Sequence, residues 1–157
     1  MKFKKILLSI VVLLGLVIFG TLSVYAQTST GTTTSFSVFG RNYQNWSTII
    51  TFANSRDLRY GTDIRSTSGT VPTGYMGTFS RVFTSSGALV RNDQWVWNNG
   101  PAVGMGTYPA TTVSPGFYYS QGLTQAFNGN GYTTQTQSPT RTPNVQVRWL
   151  NSKVITS

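Results

Sequence analysis

The sequence contains no cysteine, no histidine and no glutamate, and its only acids are Asp57, Asp63 and Asp93. Each absence removes a chemistry. Without histidine or cysteine there is no Ser-His-Asp or Cys-His nucleophile, and no zinc site of His and Cys ligands. Without cysteine there is no disulfide, so a small domain must be held by burial and hydrogen bonding alone. The Gly-rich turn Asn128-Gly129-Asn130-Gly131 carries no carboxylate for calcium, and neither a lysine nor a helix follows it to make a phosphate loop. Apolar residues do not recur at helical spacing over any long window after the N-terminal run. An amphipathic helix, and lysis by helix insertion, are therefore unsupported.

What is present begins with an address. Lys2, Lys4 and Lys5 precede an apolar run from Ile6 to about Gly20, and Val24-Tyr25-Ala26 places small residues at −3 and −1 of a cleavage site. This pattern predicts a secretory signal peptide over 1–26, cut after Ala26. The competing expectation is an uncleaved anchor, since a span needs ~20 apolar residues. Cleavage leaves 131 of the 157 residues, and removing three lysines takes the net charge from +9 to +6. Length then suits one domain with a core. A basic exported chain has anionic neighbours such as wall polymers and lipid head groups; moderate charge also serves plain solubility. The expected location is extracellular or loosely wall-associated, with no membrane span after cleavage.

Residues 27–35, QTSTGTTTS, are polar and repetitive and read as a flexible leader before a single β domain over 36–157. From Phe36 on, Thr, Val, Ile and aromatic runs are broken every eight to twelve residues by Gly, Pro, Asn and Ser. The expected fold is all-β: an antiparallel β-sandwich, or a partly closed barrel, of meander hairpins. Strands are expected over 36–40, 42–54, 58–66 (bent or split at Gly61), 74–83, 88–99, 117–129, 131–138 and 145–151. Hairpin turns fall at Thr84–Gly87 and Asn128–Gly131, where Asn-Gly favours positive φ.

The acids raise one catalytic possibility. Asp57 and Asp63 flank Gly61, and a glycan hydrolase needs two carboxylates ~5–9.5 Å apart. Arg56, Arg59 and Arg65 stand beside them, however, and favour ionised surface ion pairs. A Ser-Lys dyad would need Lys153, in a tail expected to fray. The expectation is a non-enzyme with no cofactor and no metal. Binding then falls to aromatics and cations. Tyr118, Tyr119 and Tyr132 have Ser, Gln, Asn and Thr neighbours and are the expected stacking surface; Arg81 and Arg91 would add charge. Tyr118 and Tyr119 must face opposite sides of a strand, so at least one is expected to be exposed. Trp95 and Trp97 share a face and are expected in the core. Arginines scattered along an exported chain do not suggest a specific nucleic-acid partner.

Two stretches, FSRVFTSSGALVRNDQWVWNNG and PGFYYSQGLTQAFNGNGYTTQTQSPT, resemble a group of small exported proteins of Bacillus-like Gram-positive bacteria. The shared units are a strand–SxG turn–strand–W hairpin and a YYSxG…AFNGNGY segment. The resemblance implies secretion and a β fold and brings no catalytic residue. Together these readings predict a secreted protein that binds anionic wall polymer or glycan. The alternatives are a bacteriocin-like toxin and, third, an Asp-dependent glycan hydrolase.

Overall fold

The computed structural model describes residues 26–135 and 141–148. The expected signal peptide up to Tyr25, residues 136–138 of an expected strand, and the last part of the expected final strand, from Trp149 on, lie outside the described residues. Within them the chain is all-β. Its strands are β1 (Ala26–Thr30), β2 (Thr34–Val38), β3 (Arg41–Phe52), β4 (Asp57–Ser66), β5 (Met76–Phe79), β6 (Arg81–Thr84), β7 (Leu89–Asn92), β8 (Val96–Trp97), β9 (Gly104–Thr107), β10 (Ala110–Thr112), β11 (Gly116–Ser120), β12 (Leu123–Phe127), β13 (Tyr132–Gln135) and β14 (Val145–Val147). All pairs are antiparallel, and the sheets do not close into a barrel. No helix among the described residues is long and apolar enough to cross a membrane.

The first sheet is built on the long β3–β4 hairpin. β1 and β2 pair with one edge of β3, and β9 and β10 with the far edge of β4. The second layer comprises two four-stranded sheets, β14-β11-β6-β7 and β13-β12-β5-β8. They are two halves of one ribbon. Ser120 lies opposite Val82 and Leu123 opposite Phe79, so the register continues across the gap between the halves. The Gln121 N–H still donates to the Arg81 carbonyl within that gap. What breaks the ladder is Gly122, whose N–H leaves its own sheet and donates to Ser47 Oγ of the facing one at 3.3 Å.

That crossing belongs to a belt of polar contacts between the layers. Ser120 Oγ donates to the Gly61 carbonyl at 3.1 Å. Asn45 Nδ2 donates to Thr124 Oγ1 at 2.7 Å, and Ser80 Oγ bonds the Thr107 main chain at 3.2 Å. Apolar residues fill both sides of the belt. One cluster joins Ile49, Leu58 and Tyr60 to Val82, Tyr118, Val145 and Val147. The other joins Phe36, Val38, Tyr43 and Ile64 to Met76 and Ala126. Burying each large aliphatic side chain contributes ~1.5–3 kcal/mol, against ~0.5–1.5 kcal/mol net for a neutral hydrogen bond. The clusters therefore supply the stability, and the belt fixes how closely the layers meet.

Three expectations are corrected. Residues 27–35 are not a free leader: Gln27–Thr30 are hydrogen-bonded to Thr48–Thr51, and β2 begins at Thr34. Threonine and serine suit an exposed edge strand, and low hydrophobicity alone does not distinguish such a strand from a linker. β4 neither bends nor splits at Gly61, which pairs in register with Thr48. β9 and β10 were not foreseen, because the Gly- and Pro-rich stretch around them offers only three or four strand residues at a time. The turns at Gly87 and Gly129 do form, each with φ +93°.

The belt leaves no room at Gly122. A Cβ there would lie 1.7 Å from Thr62 Oγ1 and 2.6 Å from the Phe79 carbonyl. Gly122→Ala is expected to cost about 3 kcal/mol, the upper end of the usual overpacking range, read as a lower urea midpoint. Thr62 Oγ1 is itself buried with no hydrogen-bond partner. Thr62→Val puts a larger methyl in place of that oxygen, against the Gly122 main chain, and is expected to lower stability by about 1 kcal/mol through overpacking in the same assay.

Candidate aromatic binding face

Alternation along the ribbon sorts its side chains. Met76, Thr78, Ser80 and Val82 point into the sandwich and are buried. Phe79, Arg81 and Phe83 take the other parity and are only half-buried. Across from them Gln121, Leu123, Gln125 and Phe127 share that outer face. Trp97 pairs with Gly77 and Tyr132 with Phe127, which brings both rings to the same surface.

The outcome is a continuous run of rings. Phe79 meets Trp95 at 5.5 Å between centroids, and Trp95 meets Trp97 at 5.7 Å. Trp97 meets Tyr132 at 4.1 Å, and Tyr132 meets Phe127 at 5.9 Å. Phe127 in turn contacts Tyr75 at 4.6 Å and Phe39 at 6.4 Å. The seven rings are not scattered: Tyr75 also packs against the second core cluster, while Tyr132 is 46% exposed and Phe39 63%. Two glycines make room for them. A Cβ on Gly77 would lie 2.6 Å from the Trp97 ring, and one on Gly129 2.6 Å from the Phe39 ring.

Phe39 adds a sign of cost. With Gly40 it forms the two-residue turn between β2 and β3, and its φ is +49°. A bulky residue in the left-handed region is strained by ~1 kcal/mol or more, and such strain concentrates at functional positions.

The residues singled out from sequence separate on this frame. Tyr132 belongs to the ring run. Arg81 borders it, two positions from Phe79; its guanidinium donates to the Gln121 and Gly122 carbonyls at 3.1 and 3.4 Å and lies 5.4 Å from the Phe83 ring. Tyr118 and Tyr119 do face opposite sides, but neither is exposed, at 6% and 8%. Tyr118 is a core residue whose hydroxyl donates to the Ser114 carbonyl at 2.6 Å. Tyr119 is on the outer face but stacks on Phe83 at 5.2 Å, and the Arg141 guanidinium covers it at 3.8 Å. Arg91 pairs with Val82, on the inward parity, and interacts with the Tyr60 hydroxyl instead of the aromatic face. Trp95 and Trp97, expected in the core, are in the ring run. Their parity relative to Gly77 decides this, and parity is invisible until the pairing is known.

The opposite outer face, on the first sheet, holds the other polar feature. Asp63 is only 7% exposed. Tyr108, from the bend between β9 and β10, folds over Gly61 and donates its hydroxyl to Asp63 Oδ1; Thr48 Oγ1 donates to Oδ2 at 3.2 Å. Trp46 and Arg65 line an open groove of about 310 Å3 beside it. Asp57 is exposed and accepts from Thr112 Oγ1. The Asp57 and Asp63 carboxylates, weighed above as a hydrolase pair against surface ion pairs with arginine, are not brought together. Six residues along one straight strand separate the two by roughly 20 Å, beyond the reach of paired carboxylates. Hydroxyls, not arginine, hold Asp63, because Tyr108 covers the carboxylate.

Compared with known proteins, the chain matches no protein family, no curated protein and no solved structure.

Burial pushes the Asp63 carboxyl above its ordinary 3.8, against hydrogen bonds from Tyr108 and Thr48 that favour the charged form. Burial, with the hydrogen bond to Asp63 and the Asp63 charge, pushes the Tyr108 phenol up to about 12, so it remains a donor at ordinary pH. The folded state holds the Asp63 proton more tightly than the unfolded chain does. Stability is therefore greatest below the ordinary value and falls as pH rises through the window from 3.8 to the raised folded value. Asp63→Asn is expected to flatten that fall, measured as urea midpoints from about pH 3.5 to about pH 7. An unchanged slope would mean that another group sets it.

Proposed function

We propose that this is a secreted, non-enzymatic protein of the cell envelope or extracellular space that binds glycan or wall polymer on the aromatic face of its second sheet. The observation that carries the reading is the seven-ring run on an outer sheet surface, bordered by amides and Arg81. Sugar rings present apolar C–H faces and a polar rim, and a surface of aromatic rings among hydrogen-bonding amides complements both. A contiguous apolar patch on a sheet is also what a partner surface requires. Export is supported by the N-terminal sequence pattern, and the net positive charge suits anionic polymers. Relative to the sequence reading, the proposal moves the contact from Tyr118 and Tyr119 to Trp97, Tyr132 and their neighbours.

The test is retention on purified peptidoglycan, with and without teichoic acid, across a salt series. Ring stacking is expected to persist at high salt, whereas a charge-only contact is screened. Trp97→Ala and Tyr132→Ala are each expected to weaken retention about tenfold, as the loss of one stacking contact implies. Phe39→Asn is expected to weaken retention as well, while leaving the unfolding midpoint unchanged or higher, because Asn tolerates positive φ. Retention abolished by salt and indifferent to these rings would remove the aromatic face from the reading.

A further inference from the structure

A second concave site lies at the other end of the sandwich from Phe39 and Phe127. It is a cavity of about 520 Å3, within the usual size of small-molecule sites, where the far end of β3 meets β11 and β14. Phe52 and Phe117 supply its apolar wall, and Phe117 is an exposed ring with no aromatic partner among the contacts described. Amides from Gln27, Asn54, Asn144 and Gln146 line much of the rest. Asn54, in the turn that follows β3, has φ +60°, a conformation that asparagine tolerates better than most residues. Among the described residues Arg148 is the only charged side chain in the lining. Its Nε donates to Gln146 Oε1 at 2.7 Å, which ties the guanidinium to the cavity wall.

From this lining we infer a binding site for a carboxylate-bearing sugar, separate from the aromatic face. Amides read hydroxyls, a phenyl ring packs on the C–H face of a sugar, and a guanidinium fork matches a carboxylate in two parallel hydrogen bonds. No acid among the described residues lines the cavity to repel an anion. Arg148 is the one cationic side chain of the described lining, and its planar fork lies in one plane with the two oxygens of a carboxylate, so the site is read as one for a carboxylate.

The experiment is calorimetric titration of the purified protein with glucuronate, with glucose, acetate and glucose 1-phosphate as comparison ligands. Glucuronate is expected to bind at least about tenfold more tightly than any of the three. Arg148→Gln is expected to weaken glucuronate binding about tenfold, the loss of one charge-assisted contact. Arg148→Lys is expected to recover only part of it, since a point charge lacks the fork. Phe117→Ala should weaken glucuronate and leave acetate unchanged. Trp97→Ala should leave glucuronate binding intact, which separates this site from the aromatic face; both are surface positions whose variants are checked for an unchanged unfolding midpoint. Absence of glucuronate binding, equal binding of glucose, tighter binding of glucose 1-phosphate, or indifference to Arg148→Gln each overturns the inference.

Discussion

The close approach of the two layers at Gly122 is the constraint on which the rest of the structure depends. A backbone N–H that would have continued the ladder of the second sheet instead reaches Ser47 Oγ in the first. Thr62 occupies the space a side chain on residue 122 would need. Around this point Asn45, Ser80 and Ser120 bridge the layers through hydrogen bonds in place of apolar contact. Small polar residues let the backbones come together, and the bulky apolar residues are displaced to either side. That division explains why the core is two clusters and not one.

Both outer faces follow from that arrangement. Since Thr78, Ser80 and Val82 must face the belt and the core, Phe79, Arg81 and Phe83 must face away. The aromatic character of the second sheet's surface is therefore a consequence of how the inside is packed, gathered into a run by Trp95, Trp97 and Tyr132 from neighbouring chain segments. On the first sheet the inward parity belongs to Leu58, Tyr60, Thr62 and Ile64, which leaves Gly61 and Asp63 on the outside. Tyr108 then covers them, and a carboxylate that would otherwise be solvated becomes a buried acceptor of two hydroxyls. The proposed glycan face and the proposed sugar-acid cavity lie at different ends of the same ribbon, one near Phe127 and one at Phe117.

Much of the fold was legible in the residues. The β class, the antiparallel hairpins, the turns at Gly87 and Gly129 and the alternation of Phe79, Arg81 and Phe83 all follow from local properties: side-chain branching, period-two patterning and the freedom of glycine at positive φ. The candidate site was legible only in part. The polar neighbours of Tyr132 point to a surface position, which it has, but the same polarity points to Tyr118 and Tyr119, which are buried by partners distant in sequence. Trp95 and Trp97 were assigned to the core on hydrophobicity, which says that a side chain avoids water and not which surface hides it. β1 was lost among threonines, and β9 and β10 among glycines, because an edge strand is defined by the neighbour that pairs with it.

The sequence by itself determined that this chain folds into β-structure without disulfides, that His- and Cys-based chemistry is excluded, and which positions on a given strand share a face. These are properties of single residues and of their spacing along the backbone. Only the tertiary structure decided which face is inside, that Gly122 sets the separation of the layers, that Asp57 and Asp63 are far apart, and that seven rings from separate segments form one surface. Those outcomes depend on contacts between residues tens of positions apart, and the geometry that joins them exists only once the two sheets have closed on each other.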